Sequence, residues 1–265
     1  MMQFTTLGDR NAPAVLLIHG MLSSADDSVH FGRYLADDHY VICPTLDGHA
    51  DDGSDLVSAE DEARKITVWL RENGIRSLAL IQGSSMGAEV ALAVRDACIR
   101  SDIKVDHCFF DGGPFFDFSP VFRKFMEIVF SGLVGIFEKD PEHVSEKLKG
   151  NLFVRFVLGK KRDEFEPLFA SMSSKRRKFS KKTVKGMVKT CYNCALPDLT
   201  NDVQRTLVFF FSTDEPARKS KKRLKKAYPF AKYRDVKGYA HCLFQVKRPK
   251  RYARLLKDVM NGERI

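Results

Sequence analysis

Ser85 is the residue around which chemistry can be built. It lies in Gly83-Ser84-Ser85-Met86-Gly87, between an apolar run at 78–81 and a helix-forming run at 88–93. That order predicts a strand, a sharp turn and a helix. The apex of such a turn crowds the residues two before and two after it, and both of these are glycine here. A serine at the apex has its hydroxyl exposed, with helix N-terminal amides aimed at any negative charge that develops beside it. Serine is a poor nucleophile at neutral pH. An imidazole must take its proton, and a buried carboxylate must hold that imidazole in the right tautomer. His241 is the expected base and Asp214 the expected acid, each just after a predicted strand. A tetrahedral intermediate also needs two N–H donors. The amide of Met86 is one, and the amide of Met21, in the loop after His19-Gly20, is the expected second. The chemistry is nucleophilic catalysis through a covalent serine intermediate.

Positioning these groups takes a wound sheet. Apolar runs predict strands at 14–18, 40–43, 78–82, 105–110 and 206–211, and short mixed stretches at 3–7 and 232–236 are read as the remaining strands. Helical segments are expected at 26–36, 56–72, 88–100, 217–227 and 245–260. Strands alternating with helices indicate an α/β fold with a mostly parallel central sheet and helices on both faces. In such a sheet ligands bind beyond the carboxyl ends of the strands, where residues 19–21, Ser85, Asp214 and His241 all fall. Between 114 and 201 the rhythm breaks, and helices are expected at 120–137, 141–158, 164–172 and 181–191. The first carries Phe122, Phe125, Met126, Val129, Phe130, Leu133 and Phe137 at spacings of three and four, one broad apolar face. The expectation is a two-part core, 1–113 and 202–265, with 114–201 as a helical insertion. Phe122, Phe125, Met126 and Val129 are the expected substrate-pocket residues. Residues 175–178, Lys-Arg-Arg-Lys, are expected in an exposed turn.

Composition narrows the class. The formal net charge is +10, but it divides unevenly: −9 over 1–113, +7 over 114–200, −1 over 201–214 and +13 over 215–265. The basic runs lack interleaved aromatics for base stacking, so no nucleic acid is expected. A solvated basic face, with a preference for anionic substrates, is the simpler reading. Six scattered cysteines include one Cys191-x-x-Cys194 pair with no second pair to complete a metal set, so incidental thiols are expected. The chain opens without a charged-then-apolar leader, and its longest apolar-leaning run, 121–137, is short and contains charges. A soluble cytoplasmic protein is the expectation. The acidic first part and basic remainder could pair between subunits of a homo-oligomer.

Taken together, these motifs resemble those of the α/β-hydrolase family. The anchors are His19-Gly20, the Gly83–Gly87 elbow, Asp214, His241 and the loop Pro44-Thr45-Leu46-Asp47-Gly48-His49, in the family's order Ser, Asp, His. The resemblance implies the α/β-hydrolase fold, with the insertion as a cap and the family's first strand missing ahead of Ala14. It also implies structural roles for His19, Asp47 and His49. Asp111, which ends another strand on the same edge, is the rival acid. The implied activity is serine hydrolysis of a lipophilic carboxylic ester or thioester, with no metal and no organic cofactor. C–C bond hydrolysis, aminopeptidase and acyltransferase activity use the same triad. A non-catalytic lipid- or anion-binding role is the alternative of a different class.

Overall fold

A computed structural model describes residues 2–139, 143–152, 154–155, 163–164 and 178–263. Its centre is a seven-stranded sheet in the order β1-β3-β2-β4-β5-β6-β7. The strands are β1 (Gln3–Leu7), β2 (Ala14–Ile18), β3 (Tyr40–Thr45), β4 (Ser77–Ser84), β5 (Lys104–Asp111), β6 (Leu207–Ser212) and β7 (Lys232–Val236). All neighbours run parallel except β1, which pairs antiparallel with β3 at the edge. The two edge strands β1 and β7 are largely solvent-facing, whereas β2 and β6 are buried along their whole length. That is the burial expected of strands covered on both faces.

The period of two divides each inner strand between two cores. Leu16 and Ile18 of β2 join Phe110 of β5 and Phe209 of β6 in the larger cluster. Val15, Leu17, Phe109 and Phe210 point the other way. The first face is covered by α2 (Ala59–Glu72) and α3 (Met86–Arg100), which contribute Ala63, Ile66, Leu70, Val90 and Val94. The second is covered by α1 (Ala25–Gly32) and the last helix, through Phe31, Tyr252 and Leu256. Ser58 caps α2 by accepting from the Asp61 amide at 3.3 Å, and Gly74 (φ +73°) follows its end.

Between β5 and β6 lie α4 (Pro120–Lys139), α5 (Val144–Gly150), α6 (Lys181–Tyr192) and α7 (Asn201–Arg205). α4 packs on α5 and α6. Residues 165–177 lie outside the described residues. They hold most of the helix expected at 164–172 and three of the four residues of the basic run at 175–178.

Several boundaries depart from the sequence reading for local reasons. The final helix divides into α9 (Leu243–Lys247) and α10 (Pro249–Met260), because Pro249 has no amide to donate and forces Arg248 out of helical geometry (φ −133°, ψ 55°). The helix expected from 217 begins as a 3₁₀ turn, Pro216–Ser220, before α8 (Lys221–Ala227). α1 stops at Gly32, and Leu35 reaches the core from the turns beyond it.

Candidate active site

β4 delivers its last residues to the carboxyl edge of the sheet. In register, Gly83 sits beside Ile18 and Phe110, and Ser84 beside Asp111. Ser85 then turns with φ +53° and ψ −125°, a conformation few non-glycine residues hold, and α3 begins at once. The glycines make this turn possible. A Cβ on Gly83 would stand 2.1 Å from the Gly87 carbonyl oxygen, and one on Gly87 would stand 2.3 Å from that of His19. The Ser85 amide donates to the Asp111 carbonyl at 2.7 Å, tying the apex to the neighbouring strand.

His241 lies across from the serine. Its Nε2 is 2.9 Å from Ser85 Oγ, and its Nδ1 is 2.5 Å from Glu215 Oε2. Glu215 is buried, and its other oxygen accepts from the Ser212 amide at 2.6 Å. Burial alone would lower the His241 pKa. The hydrogen bond and charge of Glu215, with the charge of Asp111 behind it, outweigh burial and hold the imidazole above its ordinary 6.5.

The carboxylate is a correction to the sequence reading. Asp214 is exposed, makes a 3.4 Å hydrogen bond with the Thr213 hydroxyl, and has no hydrogen bond to His241. The turn after β6 carries Asp214 outward, and the next residue, in extended backbone before Pro216, is the one that folds beneath the imidazole. The sequence offered both carboxylates at this strand end; which one points inward depends on turn geometry that residue types do not encode. Asp111 does not take the place either. It is fully buried, and its pKa is pushed up to about 7 by burial and then by the nearby Glu215 charge. One of its carboxyl oxygens has no partner, and Tyr252 is its side-chain hydrogen-bond neighbour. Behind the serine, the Gln82 side-chain amide donates to Ser84 Oγ (2.8 Å) and Tyr252 Oη (3.1 Å), and Ser84 Oγ donates to Gln245 Oε1 (2.9 Å).

Met86 follows the serine directly, and the loop carrying Met21 passes near it. Met86 is the first residue of α3, so its N–H belongs to the helix's unpaired first turn. The loop carrying Met21 passes close by, since a Cβ on Gly20 would be 3.2 Å from Ser85 Cβ. His19 spends both ring nitrogens on backbone. Nε2 accepts from the Leu46 amide at 3.0 Å, and Nδ1 donates to the Gly20 carbonyl at 2.7 Å. The Pro44–His49 loop is thereby fastened to the loop carrying Met21.

A cavity of about 1120 Å³ opens above Ser85 and His241. Met21, Phe116, Phe118, Phe122, Phe125, Met126, Phe130 and Tyr192 form much of its wall. Of the four expected pocket residues, Phe122, Phe125 and Met126 line it. Val129 does not; it packs against the main core instead, although the helical period puts it between Phe125 and Phe122 on the same arc. Phe116, Phe118 and Tyr192 were not anticipated, because they come from the loop after β5 and the end of α6 rather than from one periodic face. Cys191 and Cys194 are buried free thiols whose pKa values burial pushes up, which makes them unreactive. Among the described residues, no group of three or more His, Cys, Asp or Glu side chains is arranged to hold a metal ion. No described helix is long and apolar enough to cross a membrane.

Residues 13–247 match a family model described as the alpha/beta hydrolase fold. No curated protein matches the chain. Solved structures do match. An alpha/beta hydrolase family protein from Desulfitobacterium hafniense has a TM-score of 0.76 at 18% identity, over 98% of this chain and 100% of that one. A thermophilic esterase from Thermogutta terrifontis has a TM-score of 0.72 at 14% identity, over 98% and 93%. An enol-lactonase from Burkholderia xenovorans LB400 has a TM-score of 0.71 at 13% identity, over 98% and 96%. At these identities the likeness is one of fold.

Proposed function

This chain belongs to the alpha/beta hydrolase family, and we propose that it hydrolyses carboxylic esters or thioesters of a lipophilic acyl group through Ser85, His241 and Glu215. The observation that carries the reading is the relay Ser85–His241–Glu215 at the floor of an aromatic-walled cavity. Ser85 Oγ attacks the carbonyl carbon as its proton passes to His241 Nε2. Glu215 keeps the Nδ1 proton in place and stabilises the imidazolium that forms. The oxyanion lies between the amides of Met86 and Met21. His241 returns the proton to the departing alcohol or thiol. A water, deprotonated by the same imidazole, then releases the acid and restores Ser85.

The apolar wall supports an acyl chain as the recognised part, and the insertion from 114 to 201 acts as the cap that supplies most of this wall. All six cysteines are free thiols, which supports a reducing, cytoplasmic setting. The test is labelling by a fluorophosphonate probe together with turnover of p-nitrophenyl esters and acyl thioesters of graded length. Wild type is expected to be labelled and to favour medium or long chains, and Ser85→Ala to do neither. Labelling retained in Ser85→Ala, or turnover confined to amide or C–C substrates, overturns the reading.

A further inference from the structure

α4 has two apolar faces, and only one is used in packing. Met126, Phe130, Leu133 and Val134 are buried. Val121, Phe125 and Ile128 are 81%, 57% and 68% exposed. They stand at i, i+4 and i+7, one above another on a single helix face. Gly132 extends that face by a turn, with open space where a Cβ would stand. Of the charged residues in the same stretch, Arg123 and Glu127 fall off this face, whereas Lys124 stands on it, three residues after Val121 and four before Ile128. An outward stripe of this kind on a helix with a second, buried apolar face is more than packing requires.

The stripe is continuous with the cavity. Phe125 belongs to both, and Phe122 is both 39% exposed and part of the cavity wall. From there an aromatic series runs inward: Phe122 to Phe118 at 4.5 Å between ring centroids, and Phe118 to Phe116 at 4.8 Å. Phe116 lies in the loop that follows β5, whose last residue pairs in register with Ser84. Charge decides what would meet the stripe. The rim itself is balanced, Lys124 pairing with Glu127 and Lys247 with Glu164 while Lys219 borders the cavity with Asp26 and Asp27, so the surplus is that of the inserted segment as a whole. The chain carries +10, and residues 114–200 hold 17 Lys and Arg against 10 Asp and Glu.

We propose that this stripe docks the protein on an anionic lipid bilayer, and that the cavity draws its lipophilic substrate from the bilayer through the shared rim. Three apolar side chains and a basic surplus are the features of a segment that lies in the headgroup region without crossing it. A second copy of the chain is a poorer fit, because the positive surplus would face itself across the contact. The delivery of substrate rests on the ester-hydrolase reading; the docking does not.

The two are separated by testing docking in Ser85→Ala. That protein is sedimented with vesicles of phosphatidylcholine alone and of phosphatidylcholine mixed with phosphatidylglycerol, at low and high salt. Binding is expected to the mixed vesicles, weaker at high salt. It should fall about tenfold or more when Val121→Asp and Ile128→Asp are added. Neither residue lines the cavity, so the same pair in the Ser85 protein should leave turnover of a short, water-soluble ester unchanged. A thermal melt equal to that of the parent checks the fold even where no ester is turned over. The proposal is overturned by absence of binding to either vesicle, or by equal binding with and without the two aspartates. It is also overturned by a dimer that the two aspartates dissolve while vesicles are ignored.

Discussion

Two clusters of histidine and carboxylate flank Gly20, and they differ in what the histidine faces. In the first, His241 faces Glu215 on one side and Ser85 Oγ on the other, under an open cavity. In the second, His19 and His49 lie edge to face at 5.2 Å between ring centroids, close to Asp47, Glu62 and Lys65. His19 serves two backbone groups, His49 Nδ1 lies 3.1 Å from the Asp47 carbonyl, and Glu62 accepts from the Asp47 amide at 2.9 Å. Lys65 closes the set through ion pairs with Asp47, Asp61 and Glu62. The same residue types make a fastening in one place and a relay in the other. What separates them is which nitrogen is left for a side-chain partner: His19 borders the same cavity but spends both ring nitrogens on backbone, whereas His241 Nε2 faces Ser85 Oγ.

The sharpest way to break this comparison is to remove a member of the relay. Ser85→Ala or His241→Ala should lower kcat for the best ester by about 10⁴-fold or more, with little change in Tm. A fall in Tm with activity retained would put His241 with the structural set. Glu215→Gln should cost about 10²–10⁴ in kcat, while Asp214→Asn should cost almost nothing. The pH profile gives this a sign. His241 must be neutral to accept the proton, and its pKa is raised above 6.5, so activity should climb through a midpoint above that value. Removing the Glu215 charge should move the midpoint down. A midpoint that stays put, or a loss in Asp214→Asn equal to that in Glu215→Gln, contradicts the assignment.

Lys65→Met probes the other cluster. It leaves buried Glu62, whose pKa burial already pushes up to about 7, without its cation, and should lower stability by about 1–3 kcal/mol while kcat stays near wild type. Chemical denaturation beside a rate assay reads both. A separate test of stability concerns Asp111. Its folded pKa of about 7 lies above the unfolded carboxylate's, so the unfolded chain releases this proton first as pH rises. Wild-type stability should therefore fall between about pH 4 and pH 7 relative to Asp111→Asn. A Tm difference between the two proteins that is flat across this range refutes the buried protonated state.

The relay was legible in the sequence to the extent that backbone dictates it. Gly83 and Gly87 announce the turn at Ser85 because no larger residue fits. The apolar runs before His19, Ser85 and Asp214, with the mixed stretch 232–236 before His241, place four strand ends on one edge. Glu215 was not legible, because the sequence shows two adjacent carboxylates and only the path of the turn selects one. Val129 failed for a related reason. Periodicity marks α4 as apolar on a wide arc, but not which part of that arc meets core, cavity or solvent. The division at Pro249 was visible in principle, since a proline within a helical run removes a donor.

The register of β5 against β6 carries a consequence for how the molecule comes into being. Cys108 pairs with Leu207, so neighbours at the centre of the sheet are nearly a hundred residues apart in the chain. The serine lies on the earlier-made β4, and His241 and Glu215 lie more than a hundred residues later, on the segments after β7 and β6. Contacts closed over such a loop form late and slowly. The contacts of Ser85 with His241, and of His241 with Glu215, therefore close only after β6 and β7 have joined the sheet.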